Sequence, residues 1–179
     1  MQVRHWGLSN ETTYGLVTFC ETARRLGVPL PVSVQNDFSL LNRNDETHLA
    51  EALFHYNVSL LTYGSLAGGT LSGKYHDGSA GPTCRHERFP SFQPRYHSER
   101  SRAATAKYVA LARARDIAPV HLALAWADSR WFVGAVIIGA TSVAQLDECA
   151  GAWRVELGQE VLDAVDEIHR DHRNPNLTD

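Results

Sequence analysis

The chain has 179 residues, 44% of them hydrophobic and 21% charged, with a formal net charge of −3 from 17 basic and 20 acidic side chains. That composition belongs to a folded protein of one domain, here taken as residues 1–179. The charges are interspersed, so no basic stripe argues for nucleic acid and no charged block argues for a tail. Three scattered cysteines, Cys20, Cys84 and Cys149, suit a reducing compartment better than a disulfide scaffold. No apolar run approaches the roughly 20 residues of a membrane helix. The segment Met1 to Trp6 lacks the pattern of a signal peptide, and a cytoplasmic location is the expectation.

In chain order, Val3 to Leu8 reads as a strand, followed by Asn10 and Thr12 as good N-cap types. A helix from Thr12 to Leu26 recurs in Leu16, Phe19, Ala23 and Leu26, its expected buried face; Gly27 stops it, and Pro29 and Pro31 keep it from resuming. Val32 to Gln35 is a second strand. A helix from Asp45 to Tyr56, with Leu49, Leu53 and Tyr56 on one face, is closed by Asn57. Val58 to Tyr63 is a third strand, apolar as in a sheet covered on both faces. Residues 64–97 read as one long irregular loop rich in glycine and proline, a length usually reserved for functional or mobile segments. Two helices follow, Glu99 to Arg115 and Pro119 to Ser129, the second with proline in its first turn. Val133 to Ile138 is the fourth strand. Thr141-Ser142 then caps a short helix, and a last amphipathic helix covers Gln159 to His169.

This alternation implies right-handed βαβ units, a parallel sheet and an α/β fold. Four strands are too few for a (β/α)8 barrel, which takes about 250 residues. A small open sheet is the alternative, although Gly7-Leu8-Ser9-Asn10-Glu11 lacks the glycine-rich turn of a dinucleotide-binding unit.

In parallel α/β folds, ligands gather past the carboxyl ends of the strands. Those ends are polar here: Ser9-Asn10, Gln35-Asn36, Tyr63, and Gly139-Ala140-Thr141. Amide side chains both donate and accept and can read a carboxamide. An aromatic ring can stack on a flat heterocycle. A strand end running into a helix through Gly139-Ala140-Thr141 offers N–H groups to an anion, and Lys74, Arg85 and Arg88 can add charge for a phosphate. Each position also has an ordinary reading: Asn10 and Thr141 as helix caps, Gln35 as solvated, Tyr63 as core. His169 and His172 read as a solvated helix face rather than a metal site, and His5 as packed within its strand.

The segments Gly7-Leu8-Ser9-Asn10, Val34-Gln35-Asn36, Leu61 to Leu66 with Gly73-Lys74-Tyr75, and Ile138 to Thr141 with Gln145-Leu146 stand in the order and spacing of the aldo-keto reductases. The loops Leu40-Leu41-Asn42-Arg43 and Gly69 to Tyr75 resemble the Tas-type and potassium-channel β-subunit-type branch, and the resemblance covers nearly the whole chain. It implies the C-terminal half of a (β/α)8 TIM barrel, with four parallel strands and flanking helices, and NADP as cofactor. Ser9, Asn10 and Gln35 would meet the nicotinamide carboxamide, and Tyr63 would stack on its ring. Gly64, Ser65, Leu66, Ala67 and Gly68 would line the pyrophosphate beside Lys74, with 64–97 covering the cofactor. Arg85, or failing it Arg88, would take the 2′-phosphate. Gly139, Thr141, Gln145 and Glu148 would hold the adenosine. In two respects the sequence departs from the family. Cys149 stands where an asparagine often follows the glutamate. The Asp-Tyr-Lys-His catalytic group, with tyrosine as general acid, comes from the first four strands and has no match here. Tyr14 and Tyr56 lie within helices, away from the rim, and Tyr75 and His76 lack a buried lysine partner, so no local substitute is expected.

The resemblance therefore implies the NADP-binding part of an enzyme that reduces carbonyls to alcohols by hydride transfer, inactive as this chain alone. A small-molecule carbonyl compound would be the substrate once the other half is supplied. A non-enzymatic NADP-binding regulatory module is the alternative, and a degenerate product without ligand a third reading, against which Gln35, Tyr63, Lys74 and Gly139 to Thr141 speak. The open sheet edges raise the expectation that two copies associate.

Overall fold

A computed structural model describes residues 3–177. Its elements are β1 (Gly7–Ser9), α1 (Thr13–Leu26), β2 (Ser33–Asp37), α2 (Asn44–His48), α3 (Ala50–Tyr56), β3 (Ser59–Tyr63), α4 (Arg85–Arg88), α5 (Glu99–Ala114), α6 (Pro119–Asp128), β4 (Val133–Val136), α7 (Val143–Gly151) and α8 (Gln159–Asp171). The strands form one four-stranded parallel sheet in the order β1-β2-β3-β4. Sequential parallel strands with helical crossovers are the arrangement of one half of a (β/α)8 barrel. Among the described residues no helix is long and apolar enough to cross a membrane.

Thr12 caps α1, its hydroxyl accepting from the Gly15 N–H, and Gly27 ends the helix at φ 66°. The buried face of α1 is Leu16, Cys20 and Ala23; Phe19 and Leu26, expected on that face, are 45% and 65% exposed. Phe19 lies on the flank toward the outermost strand, where it meets Trp6 edge to face at 6.2 Å. β1 is shorter than the expected Val3 to Leu8. Its ladder ends where Val32 N–H donates to the Trp6 carbonyl, because Pro31 has no N–H to carry the pairing further. His5 is consequently exposed and outside the strand, not packed within it.

The helix expected from Asp45 to Tyr56 is interrupted at Leu49, and Tyr56 is half-buried, its hydroxyl on Glu21 at 2.8 Å. Asn57 closes α3 in the left-handed conformation, φ 52°. The largest core cluster sits between the sheet and its helices, where Phe38 stacks on Trp126 at 5.2 Å and meets Phe132 edge to face at 5.4 Å.

Segment 64–97 is not one irregular loop. It contains 3₁₀ turns over Ala67–Ser72 and Pro94–His97 besides α4, and both turns pack against α5. His169 is also not on a solvated face. It is half-buried with Nδ1 lacking a partner, and burial, aided by Arg43, pushes its pKa down to about 4.

Candidate functional site

The parallel register brings the carboxyl ends of the strands to one rim. Ser9 pairs with Gln35, and Asp37 with Tyr63. Asn10 follows β1 in the left-handed conformation, φ 53°, and its N–H donates to the Gln35 carbonyl at 2.9 Å. Asn10 does not cap α1, since Thr12 does. Its side chain instead spans the rim: the Tyr63 hydroxyl donates to Asn10 Oδ1 at 2.6 Å, while Asn10 Nδ2 donates to Ser9 Oγ at 3.3 Å. Ser9, Asn10, Gln35 and Tyr63 are thus gathered. Burial, then the nearby Asp37 charge, raises the Tyr63 pKa, so the phenol keeps its proton for that bond.

Asn36 fixes the loop beneath them. Its Nδ2 donates to the Glu11 carbonyl at 2.9 Å, and the Glu11 N–H returns a bond to Asn36 Oδ1 at 3.0 Å. A cavity of about 460 Å³ opens beside this loop, lined among others by Asn10, Tyr14, Asp37 and Asp45. Tyr14 therefore lies at the rim, contrary to expectation, 81% exposed in the first turn of α1.

After β3 the chain turns at Gly64, φ 70°, where a Cβ would fall 2.6 Å from Asp37 Oδ1. Gly68 and Gly69 follow at φ 67° and 96°. A Cβ on Gly69 would meet the Lys74 ammonium at 3.2 Å, so the missing side chain lets that cation lie against the backbone. Lys74 is half-buried, its Nζ 5.3 Å from the Tyr75 ring centre. Ser65 and Ala67 turn their side chains into the core. Ser65 Oγ donates to the Phe38 carbonyl at 3.2 Å and lies 2.9 Å from Thr62 Oγ1, and Ala67 is fully buried. Leu66 packs on the core. Ser65 and Ala67 therefore leave only backbone groups to line a ligand, while Leu66 stays partly exposed.

Past β4, Gly139, Thr141, Gln145 and Glu148 are exposed on one open flank. Gln145 Oε1 accepts from the Thr141 N–H at 2.8 Å and from its hydroxyl at 3.0 Å, while Ser142 caps α7. A Cβ on Gly139 would meet nothing within 4 Å. Cys149, by contrast, is buried against α6, where burial raises its thiol pKa. Arg85 is exposed and stacks over Phe92 at 5.6 Å, and Arg88 lies over Phe89 at 5.2 Å. Neither is placed against the strand-end residues by a hydrogen bond or ion pair.

Sequence reading missed a polar knot under Gly64. Arg95 donates to Asp37 Oδ2 and to the Tyr96 hydroxyl, each at 3.1 Å, with Tyr96 3.4 Å from both Asp37 oxygens. Burial raises the Asp37 pKa against the opposing pull of Arg95, and it pushes Tyr96 up to about 12. Asp37 had a signal, its place at the end of β2. Arg95 is 58 residues further on, with no motif to mark it.

The model of the aldo/keto reductase family matches residues 2–170. The protein Tas of Escherichia coli (strain K12) is 36% identical over 174 residues, which are 97% of this chain and 50% of that protein. An aldo-keto reductase of Babesia bovis is 35% identical over 181 residues, 97% of this chain and 64% of the relative. An aldo-keto reductase of Alternaria alternata, AMT2, is 30% identical over 159 residues, 89% of this chain and 42% of the relative. The chain spans about half the length of the Tas protein it matches.

Proposed function

Since the chain belongs to the aldo/keto reductase family, we propose that it binds NADP(H) along the strand-end rim, as the cofactor-holding part of an oxidoreductase that reduces small carbonyl compounds. The observation that carries this is the Tyr63–Asn10 hydrogen bond at 2.6 Å, which joins the ends of β3 and β1 across Gln35. It holds an aromatic ring and two amides in one polar surface, the groups needed to seat a flat ring bearing a carboxamide. The flanks fit the rest of a dinucleotide. Backbone without side chains at Gly64, Gly68 and Gly69, with the Lys74 ammonium against Gly69, suits a pyrophosphate. Open space at Gly139, with Thr141, Gln145 and Glu148 on the same flank, suits the adenosine. Arg85, with Arg88 in reserve, is assigned the 2′-phosphate.

When bound, NADPH supplies the hydride. The residues of this chain bind and orient it: Ser9, Asn10 and Gln35 by fixing the carboxamide, Tyr63 by supporting the ring. The proton that completes carbonyl reduction needs a separate acid, and we assign none to this chain. Tyr63 is tied to Asn10, Tyr56 to Glu21, and Tyr96 to the Asp37–Arg95 pair.

The test is a fluorescence titration with NADPH and NADH. Saturable NADPH binding is expected, weakened about tenfold in Lys74→Met, with a preference for NADPH over NADH that falls in Arg85→Gln. Turnover of an aromatic aldehyde by this chain alone should not exceed background. Absence of saturable NADPH binding would sink the reading, and clear turnover would overturn the assignment of the acid elsewhere.

A further inference from the structure

A short turn after α8, residues 174–177, grips both segments that hold the polar knot under Gly64. The Leu177 N–H closes it by donating to the Asn174 carbonyl at 3.0 Å, and Pro175 and Asn176 are buried. Asn174 stands at φ 41°, a left-handed conformation that asparagine tolerates better than most residues, and the proline ring fixes the φ that follows. On one side, Asn174 Oδ1 accepts from the Arg43 N–H at 2.7 Å. Asn42, one residue earlier, donates through Nδ2 to the Asp37 carbonyl at 3.0 Å. On the other side, the Pro175 carbonyl lies 3.1 Å from Ser101 Oγ and 3.4 Å from Ser98 Oγ, at the start of α5. The same two hydroxyls reach the Arg95 carbonyl, at 2.7 and 3.5 Å.

A serine hydroxyl has one proton to give. Two hydroxyls and two carbonyls therefore balance, one serine donating to Arg95 and the other to Pro175. Ser101 is wholly buried, so water does not replace a bond lost there. From Arg95 the linkage passes to the rim. Its guanidinium lies over the Tyr96 ring at 4.7 Å and donates to Asp37 Oδ2 at 3.1 Å. The Asp37 side chain is only 13% exposed, and Gly64 packs on its Oδ1 too closely for a Cβ. The place of this carboxylate thus sets where the backbone runs after β3. Asn42 and Arg95, which hold Asp37, adjoin the two points that the turn grips.

We propose that the turn 174–177 is a clasp that positions Arg95, with Asn174, Ser98 and Ser101 as its positioning residues, and so holds Asp37 and Gly64 in the form that receives the cofactor pyrophosphate. The inference rests on the cofactor reading above and assigns that site a support outside its own lining.

Two variants open the clasp from opposite sides. Asn174→Gly keeps the left-handed backbone and deletes the acceptor; Ser101→Ala deletes one proton and leaves the Ser98 hydroxyl to cap α5. Asn174→Asp keeps an acceptor for the Arg43 N–H. The first readout needs no cofactor. Burial raises the Asp37 pKa and Arg95 holds it down. The Asp37 carboxyl carbon signal in nuclear magnetic resonance should therefore titrate at higher pH in Asn174→Gly and Ser101→Ala, and as in the parent in Asn174→Asp. Asp45 and Tyr63 also sense this carboxylate and are left in place in all three variants. In fluorescence titration NADPH affinity should fall about tenfold in the first two variants and be kept in the third. An unmoved Asp37 titration in the folded variants, an Asn174→Asp chain no better than Asn174→Gly, or unchanged NADPH affinity beside a moved titration would overturn the proposal. If the parent itself fails to bind NADPH, the cofactor reading falls, while a moved titration still supports the clasp.

Discussion

At Gly64 the backbone adopts φ 70° directly over the Asp37–Arg95–Tyr96 knot, with no room for a Cβ beside Asp37 Oδ1. Gly64→Ala combines a left-handed L-residue with that contact, and a loss of about 2 kcal/mol in chemical denaturation is expected; a neutral result would mean that Asp37 moves aside at little cost. Asp45 is a different kind of device. Burial, reinforced by Asp37, raises its pKa from the ordinary 3.8 to about 6, and its Oδ2 has no partner. The fold therefore binds the Asp45 proton more tightly than the unfolded chain does, and its contribution to stability is lost as pH rises from 3.8 to about 6. His86 and His169 act in the opposite sense. Their pKa values fall from 6.5 to about 4, chiefly through burial, so their contribution is lost as pH drops across that range. Asp45→Asn should be more stable than the parent above about pH 6 and lose that advantage toward pH 3.8. Denaturation midpoints across that range check this, and a difference independent of pH would refute it. None of these shifts was legible in the sequence, because each depends on burial and on neighbours from other elements.

Among the elements, the ends were easier to read than the faces. Gly27, Asn57 and Pro119 stand where expected because a turn residue acts through its own backbone. The expected face of α1 failed at Phe19 and Leu26, since periodicity shows which residues share a side but not how far the neighbouring layer extends. Segment 64–97 hid its short helices for a related reason: its two 3₁₀ turns are held against α5, and α4 against the first of them, rather than by a periodic pattern. The loop at Leu40 to Arg43 is anchored at long range. The Arg43 guanidinium donates to Glu46 at 2.6 Å and to Asp166 at 2.7 Å, and it lies over Trp126 at 4.9 Å. It joins α2 to α8. Arg43→Ala should cost about 2 kcal/mol in denaturation, because it removes a buried side chain that is stacked on Trp126 and bonded to two carboxylates. Arg43→Lys should recover little, since an ammonium cannot serve both carboxylates and the ring in one plane. Full recovery by lysine would show that charge alone matters there.

For the whole molecule, the sheet has two outer strands, β1 and β4, and among the described residues neither is paired on its outer side. Apolar side chains are exposed near both, including Val32 at 48% and Ile137 at 41%. Free parallel edges of this kind associate. The isolated chain should show concentration-dependent self-association in sedimentation, weakened by Ile137→Lys; a monomer at every concentration would count against it. The sequence by itself determined the order of the four strands and the longer helices, the parallel sense of the strands and the run of polar residues at the strand ends. Those features rest on local periodicity, turn chemistry and the handedness of βαβ connections, all encoded within short stretches. The tertiary structure alone decided that Tyr63 bonds to Asn10, that Ser65 and Ala67 face inward, and that Arg95 pairs with Asp37. Those depend on contacts between residues tens of positions apart, and no local pattern carries the geometry that brings them together.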